Sequence, residues 1–440
     1  MSLNVLIVGA GIGGPALAML LQRSDPASRK ITVIEQHPTL RTSGQQIDVK
    51  GQGINILRKM GLLDTIKAHH TNESGLEVVD SQGKPVSFFG VSPSDEKRPG
   101  LTSEYEIMRH DFVQILYDAS IKQNALLKSM SKLGDDGAGL TYEFGKSIAS
   151  LDQSSDKGVD VTFTDGQTQR YDLVVGADGQ GSRTRKLAFG SDVSKAAFRS
   201  TGIHGAYFSI PRVETDPRHA RVFNALGRRM IFTRSGDNPT TQVLLFTMSD
   251  TERLNQSYRE PMDAQKAAFA ESFKDAGWQL SRFLAAMRDS KDFYAHEVGQ
   301  IKLKKWHTGR VVLLGDSAYC PSLFTGMGAT SCLAGAYVLA GELARHGGDV
   351  PRALTRYGEV LRPAIDEYQR LPISILGAFF PSSQIGGYIL QSALKIVSKL
   401  EQMTRREPGA AAAAPKEPTG WVLPEYPELN LEDGISKCTL

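Results

Sequence analysis

The 440-residue sequence predicts an α/β fold with a second, antiparallel α+β domain set into it, and three observations predict it. Three apolar strands, at residues 5–8, 173–175 and 311–314, each run into a glycine-containing turn. Small or helix-forming residues follow each turn, the strand–turn–helix pattern of a parallel sheet. Between the second and third units the texture changes to alternating segments such as Ala206-Tyr207-Phe208-Ser209-Ile210, Met230-Ile231-Phe232-Thr233 and Gln242-Val243-Leu244-Leu245-Phe246, which read as an antiparallel sheet.

The first unit is the most informative. Val5-Leu6-Ile7-Val8 leads into Gly9, Gly11 and Gly14, then into an Ala/Leu/Met helix, and the next strand, Ile31-Thr32-Val33-Ile34, ends in Glu35. The first glycine lets the chain reverse, the second lets backbone amides approach a pyrophosphate, and the third lets helix pack closely on strand. The helix then turns its positive end towards the phosphates. An acid at Glu35 suits a ribose hydroxyl and repels a 2′-phosphate. A glycine turn by itself also serves α/β connections that bind nothing; the flanking strand, the helix and the acid together favour a Rossmann-like dinucleotide site.

Composition narrows the classes. The net charge of +3 is small, and Arg228-Arg229, Lys302/Lys304/Lys305 and Arg405-Arg406 are separate groups, so no nucleic-acid partner is expected. Cys320, Cys332 and Cys438 lack zinc-ligand spacing and are odd in number, which favours a reducing compartment over a disulfide framework. With the first strand at Val5 there is no room for a secretory signal, and the cytoplasm is the expected location. Residues 371–380 are too short to span a bilayer and are bounded by Pro372 and Pro381, so no integral membrane segment is expected.

Taken in order, Glu35 is followed by a polar loop carrying Arg41, Gly44, Ile47 and Asp48, then a helix over 54–60 closed by Gly61. Residues 76–80 and 86–89 alternate around Ser81-Gln82-Gly83 as a hairpin, and 91–100 is charged loop. Phe112, Ile115 and Leu116 mark a helix whose approach carries Arg109, either a cofactor contact or a surface ion-pair donor. Asp165-Gly166 predicts a type I′ hairpin turn. The second unit ends in Asp178, Gly179 and Ser182 to Arg185, and the third in Gly315-Asp316 and the Gly326-Met327-Gly328-Ala329 turn. Carboxyl ends of parallel strands are where such proteins bind ligands.

These three motifs, in this order and at these separations, resemble the single-component (class A) FAD-dependent aromatic monooxygenases, the group of para-hydroxybenzoate hydroxylase and the tetracycline-inactivating hydroxylases. The resemblance covers about residues 1–370. It implies that Gly9, Gly11, Gly14 and Glu35 hold the ADP part of FAD, that Asp178, Gly179 and residues 182–185 serve FAD and NAD(P)H, and that Gly315 and Asp316 hold the ribityl-phosphate region. Gly326, Gly328 and Ala329 would bring backbone amides near the flavin pyrimidine. The tetracycline-hydroxylase branch is the closer likeness, through Arg41, Gly44 and the Ile47-Asp48 pair; by that match Asp48 and Arg109 contact FAD, Arg41 lies where the nicotinamide approaches, and Tyr207 and Arg229 are substrate contacts. The third motif departs from the common family form at Tyr319, Leu323, Thr330 and Gly335, which bears on the substrate more than on FAD.

The resemblance further implies NAD(P)H- and O2-dependent hydroxylation or epoxidation of an aromatic, polyketide-like or enol-containing small molecule through a flavin hydroperoxide, in microbial secondary metabolism or antibiotic modification. Oxidative cleavage, another flavin oxidoreductase reaction, or a non-catalytic dinucleotide-fold carrier are the alternatives. Trp278, Trp306 and Trp421 lie too far apart for a halogenase motif. The expected layout is an FAD-binding domain over 1–75, 102–187 and 296–370, a substrate domain over 76–101 and 188–295, C-terminal helices over 371–406, and a linker with a loosely docked tail over 407–440. Residues 371–380 and 385–400 could cover the cavity, pack a dimer or touch a membrane; lysines and prolines favour packing, and the expected state is monomer or homodimer.

Overall fold

The computed structural model describes residues 3–24, 29–41, 44–90, 105–130, 132, 138–155, 157–405 and 420–431. The expected loop over 91–100 and the linker over 407–419 lie outside them. One sheet has six strands in the order His307–Thr308, Val311–Leu313, Leu173–Gly176, Leu3–Val8, Arg29–Glu35, Gly139–Phe144, all parallel except the first pair. Its central strands read as unbroken apolar runs because both faces are covered. Val5 and Ile7 pack with the helices Gly13–Ser24, Gly328–Arg345 and Val350–Tyr368. Leu6 and Val8 pack instead on a three-stranded antiparallel sheet formed by Ile148–Asp152, Val159–Phe163 and Thr168–Tyr171.

The hairpin at Asp165-Gly166 differs from the expected type I′ turn, which needs positive φ at both central residues. Gly166 has φ 84° and Asp165 is not in that region; the Gly166 amide donates to the Phe163 carbonyl at 3.0 Å, and Phe163 N–H reaches Gln167 O at 2.8 Å. A type I turn closed by a left-handed glycine fits this pattern.

The second sheet has seven strands in the order Tyr294–Ile301, Phe198–Pro211, Thr240–Thr247, Arg229–Arg234, Ala220–Ala225, Gly75–Val79, Pro85–Gly90. It is antiparallel apart from the pairing of Ala220–Ala225 with Gly75–Val79. Tyr294–Ile301 straddles the boundary expected at 295/296 and pairs with Phe198–Pro211. Period-two alternation gives the sheet two apolar faces. Ala206, Phe208, Ile231 and Leu245 face the helices Met262–Phe273 and Leu280–Asp289, whereas Tyr207, Met230, Leu244 and Phe246 face Phe324 and the C-terminal segment through Leu376, Phe380 and Leu394.

The tail docks more firmly than expected over its described part. Leu423, Tyr426 and Leu429 are buried in the main core, Trp421 Nε1 donates to Val360 O at 2.9 Å, and Tyr426 OH donates to the buried Glu342 carboxylate at 2.7 Å. Pro424 and Pro427 break any periodic signal, so four anchors in a segment whose one regular element is the short 3-10 turn Pro427–Leu429 leave no trace that pattern reading detects. Removing the ring in Tyr426→Ala is expected to cost about 3–5 kcal/mol. Removing only the hydroxyl in Tyr426→Phe is expected to cost about 1–3 kcal/mol. Urea unfolding of both variants checks this, and equal losses would deny the ring a packing role.

Candidate functional site

The site begins where three parallel strands stop level. Val8 lies beside Gly176 and Gly176 beside Leu313. Just past each end a backbone amide reaches the neighbouring strand: Gly9 N–H to Ile34 O at 2.7 Å, Ala177 N–H to Val8 O at 2.8 Å, and Leu314 N–H to Gly176 O at 2.9 Å. All three turns therefore open on the same edge. A Cβ on Gly9 would stand 2.6 Å from Ala177 O, and one on Gly14 would run into Gly9 O. Gly13 and Gly315 both close on Cys332, where an added Cβ would meet Sγ at 2.9 Å. That thiol is a packing piece between the first and third units, and burial pushes its pKa up.

Two further glycines face open space. A Cβ on Gly11 would find only the Arg109 guanidinium, at 3.6 Å, and one on Gly328 would find nothing within 4 Å. Between them lies a cradle that side chains would fill, suited to a group held by backbone amides. Glu35 stands at its edge: its carboxylate accepts from Ala10 N–H at 3.0 Å and His37 N–H at 3.1 Å. Each carboxylate oxygen has a second acceptor position, enough for a ribose hydroxyl. Residues and cradle fit an extended dinucleotide.

The second motif is mainly a brace. Asp178 accepts from Ser182 Oγ at 2.6 Å, Thr184 N at 2.8 Å and Thr184 Oγ1 at 2.9 Å, while Ser182 Oγ caps the next helix by accepting from Arg185 N at 2.9 Å. Gly179, with φ 79°, makes the turn between them. The buried Arg185 then donates to Gln180 O at 2.7 Å, Ser194 Oγ at 3.0 Å and Ser317 O at 2.8 Å, tying this motif to the third.

In the third motif burial pushes the Asp316 carboxyl up, opposed by a hydrogen bond with Cys320 and by the Arg109 cation. Ala329 is buried at the start of the helix Gly328–Arg345. Thr330 joins this helix to the loop after Asp48: its hydroxyl donates to Lys50 O at 2.9 Å and accepts from the Lys50 amide at 3.0 Å. Asp48 pairs with the Lys50 ammonium at 2.7 Å, and that ammonium lies 3.3 Å from where a Gly326 Cβ would stand. Tyr319 and Gly335 prove to be one structural feature: the Tyr319 hydroxyl occupies the space a Gly335 side chain would take, and it bonds Tyr357 OH at 2.8 Å. Leu323 is part-exposed at the start of the short 3-10 turn Leu323–Thr325.

Across the cleft stands the second sheet. Tyr207 stacks against both Tyr294 (4.7 Å between centroids) and His296 (5.2 Å), which lie side by side 6.1 Å apart on the neighbouring strand, and Phe246 and Phe324 extend the apolar wall. Arg41 lies 5.7 Å over the Tyr294 ring. Burial, then the Arg41 cation, pushes His296 down to about 4, so it is neutral near pH 7. Arg109 feels burial first, then Arg41, Tyr294 and Asp316, so these four groups from separate segments share one electrostatic neighbourhood. The Tyr207 hydroxyl is buried with no hydrogen-bond partner among the described residues.

The expectation for Arg229 is corrected. It pairs across the strands with Thr247, on the sheet face opposite Tyr207 and Phe246, and donates to Ser272 O at 2.9 Å and Asp275 Oδ1 at 2.5 Å. A one-residue step along a strand reverses the face, and Arg229 sits on the helix-covered side. Arg234, on the cavity face, forms a buried cluster the sequence reading missed. Its guanidinium bonds Glu73 and Glu106, the latter at 2.6 Å, and Gln46 Nε2 donates to both carboxylates at 2.8 Å. Gln46 N–H also reaches Gln242 Oε1 at 3.0 Å, joining the loop of Gly44 to the second sheet. These contacts are all distant in sequence, and only the short spacing of Glu106 to Arg109 hinted at them.

Level strand ends, a side-chain-free cradle and an acid at the second strand's end define a dinucleotide-binding α/β protein. A family model described as FAD binding domain matches residues 2–367, and the chain belongs to that family. An FAD-dependent monooxygenase of Sarocladium schorii is 39% identical over 98% of this chain and 100% of its own length. A flavin-dependent monooxygenase of Phoma sp is 36% identical over 89% of this chain and 91% of its own. The crystal structure of tetracycline destructase Tet(51) aligns with TM-score 0.73 and 29% identity, covering 93% of this chain and 100% of that one. The chain is an FAD-dependent monooxygenase of the class A kind.

Burial pushes Glu106 up to about 7, against the pull of Arg234 and with the help of the neighbouring Glu73 carboxylate. A raised folded-state pKa contributes stability below the unfolded value, and that contribution is lost as pH rises through the folded one. Glu106→Gln keeps the side chain neutral. The stability gap between variant and wild type, followed by urea unfolding, is expected to move in the variant's favour by on the order of 2 kcal/mol as pH rises from 4.5 to about 7. A pH-independent gap would remove the titration from Glu106.

Proposed function

We propose that this monooxygenase takes electrons from NADPH or NADH, uses O2, and hydroxylates or epoxidises a hydrophobic aromatic, polyketide-like or enol-containing small molecule in the cytoplasm. One observation carries the reading: Arg109 borders the glycine cradle, 3.6 Å from where a Gly11 Cβ would stand, while Arg41 lies 5.7 Å over Tyr294 of the aromatic sheet wall. The likeness to tetracycline destructase supports a fused-ring, oxygen-rich substrate.

In this reading Gly9, Gly11, Gly14 and the start of the helix Gly13–Ser24 hold the pyrophosphate, and Glu35 takes the adenosine ribose. Asp316 and Gly315 hold the ribityl chain, and Gly326, Gly328 and Ala329 offer amides to the flavin pyrimidine. Asp48 acts through the loop it fixes with Lys50, and Asp178 with Gly179 keeps the neighbouring turn in place. When bound, reduced FAD would supply the electrons that activate O2, and O2 would supply the oxygen atom transferred. Arg109 presents a fixed cation beside that region, where negative charge is stabilised in a water-poor site. Arg41, at the loop edge above Tyr294, is placed to meet a nicotinamide. Tyr207, Phe246 and Phe324 exclude water from the substrate side, and neutral His296 adds no charge there.

The test is a purified, yellow protein assayed against a panel of phenols and polyketides. Substrate-stimulated NADPH oxidation with a product heavier by one oxygen is expected; stimulation by none of them would overturn the substrate class. Asp316→Ala is expected to lower FAD retention at least about ten-fold, the cost of about one charge-assisted hydrogen bond, read by flavin absorbance after gel filtration. A variant that stays fully loaded would remove Asp316 from the cofactor site.

A further inference from the structure

We infer that the C-terminal helix Gln384–Arg405 lies on an anionic lipid surface, holding the enzyme against a membrane without crossing it. Of the twenty exposed large apolar side chains among the described residues, ten fall between Ile373 and Met403. In the long helix Ile385, Tyr388, Ile389, Ile396, Leu400 and Met403 are each more than half exposed, and their spacings of three, four and seven residues put them on one face as a stripe. The opposite side is occupied: Leu394 packs on the second sheet and Ser398 Oγ donates to Phe88 O at 2.7 Å. From Ile385 to Met403 the stripe runs about 27 Å. Soluble monomers rarely show an apolar patch on that scale without a partner.

Charge decides the partner. From Leu371 to Arg405 the sequence has one acid, Glu401, which a helical projection puts with Arg405 on the side away from the stripe, and the charged residues beside the stripe are Lys395 and Lys399. On a helical projection both lie along one edge of the stripe, where long stems let ammonium groups reach lipid headgroups while the apolar residues sink into the acyl boundary. A second copy fits less well. Antiparallel pairing about the middle of the stripe would gather Lys395 and Lys399 of both chains on one side of the seam with no carboxylate to offset them. The chain's own remaining segments offer little cover, since 91–104, 406–419 and 432–440 contain Val91, Leu101, Ile435 and Leu440 as their large apolar residues. No helix among the described residues is long and apolar enough to cross a membrane, so the contact is peripheral.

The test is sedimentation of the full-length, FAD-loaded protein with vesicles of phosphatidylcholine alone or mixed with phosphatidylserine. Wild type is expected to pellet with the anionic vesicles, and Lys395→Gln with Lys399→Gln to weaken this by roughly thirty-fold, the factor two cations contribute at such a surface. Ile389→Glu with Ile396→Glu should abolish it. Both pairs are exposed, and unchanged flavin absorbance confirms that the variants fold. Wild type remaining in the supernatant at low salt would overturn the inference. So would a dimer in light scattering that the isoleucine variant dissociates, because the stripe would then be an interface between copies.

Discussion

The cleft depends on backbone approaching backbone. Three strands can end level and send their turns to one place only if the turns carry no side chains at the points of contact, and Gly9 against Ala177, Gly14 against Gly9, and Gly13 and Gly315 against Cys332 meet that condition. Close approach in turn lets amides just past each strand bond the neighbouring strand, so the geometry of one turn fixes the next. Arg185 adds a third tie by bonding carbonyls of two motifs and a hydroxyl of the helix between them. The open cradle is what remains once these contacts are made.

Much of this was legible because nucleotide sites on parallel sheets use local patterns. An apolar strand, a glycine turn and a helix are contiguous, and Glu35 follows at a set distance, so the first, second and third units could be read without knowing how they meet. The second sheet showed itself by alternation. What stayed hidden is what depends on contacts between distant segments. Arg229 and Arg234 are both arginines on one strand, and only register shows that the first is bound to the covering helices while the second lies in a charge cluster on the cavity face. Asp178 belongs to a recognised motif, yet its oxygens are taken by Ser182 and Thr184, a local arrangement that motif reading does not distinguish from ligand binding. Tyr426 and Leu429 were unreadable as anchors because nothing periodic surrounds them.

The two large sheets are joined by polar groups rather than by apolar packing alone. Gln46 bonds Glu73, Glu106 and Gln242, and Arg234 closes the cluster from the second sheet. Because the same loop carries Arg41 and Gly44, and the strand Glu106–Met108 that begins at Glu106 runs directly into Arg109, the cluster holds the two arginines in register with the aromatic wall. Buried groups of this sort are favourable only when all their partners are present, which makes the connection specific.

The pairing of Tyr319 with Gly335 has a consequence for how such enzymes diverge. A phenol hydroxyl in the hollow left by a missing side chain means neither position can drift alone: enlarging Gly335 displaces the tyrosine and its bond to Tyr357, and shrinking Tyr319 opens a void beside Trp306. Exchanges at this spot must therefore be concerted, and recombination that brings in one residue without the other leaves either a clash or a void.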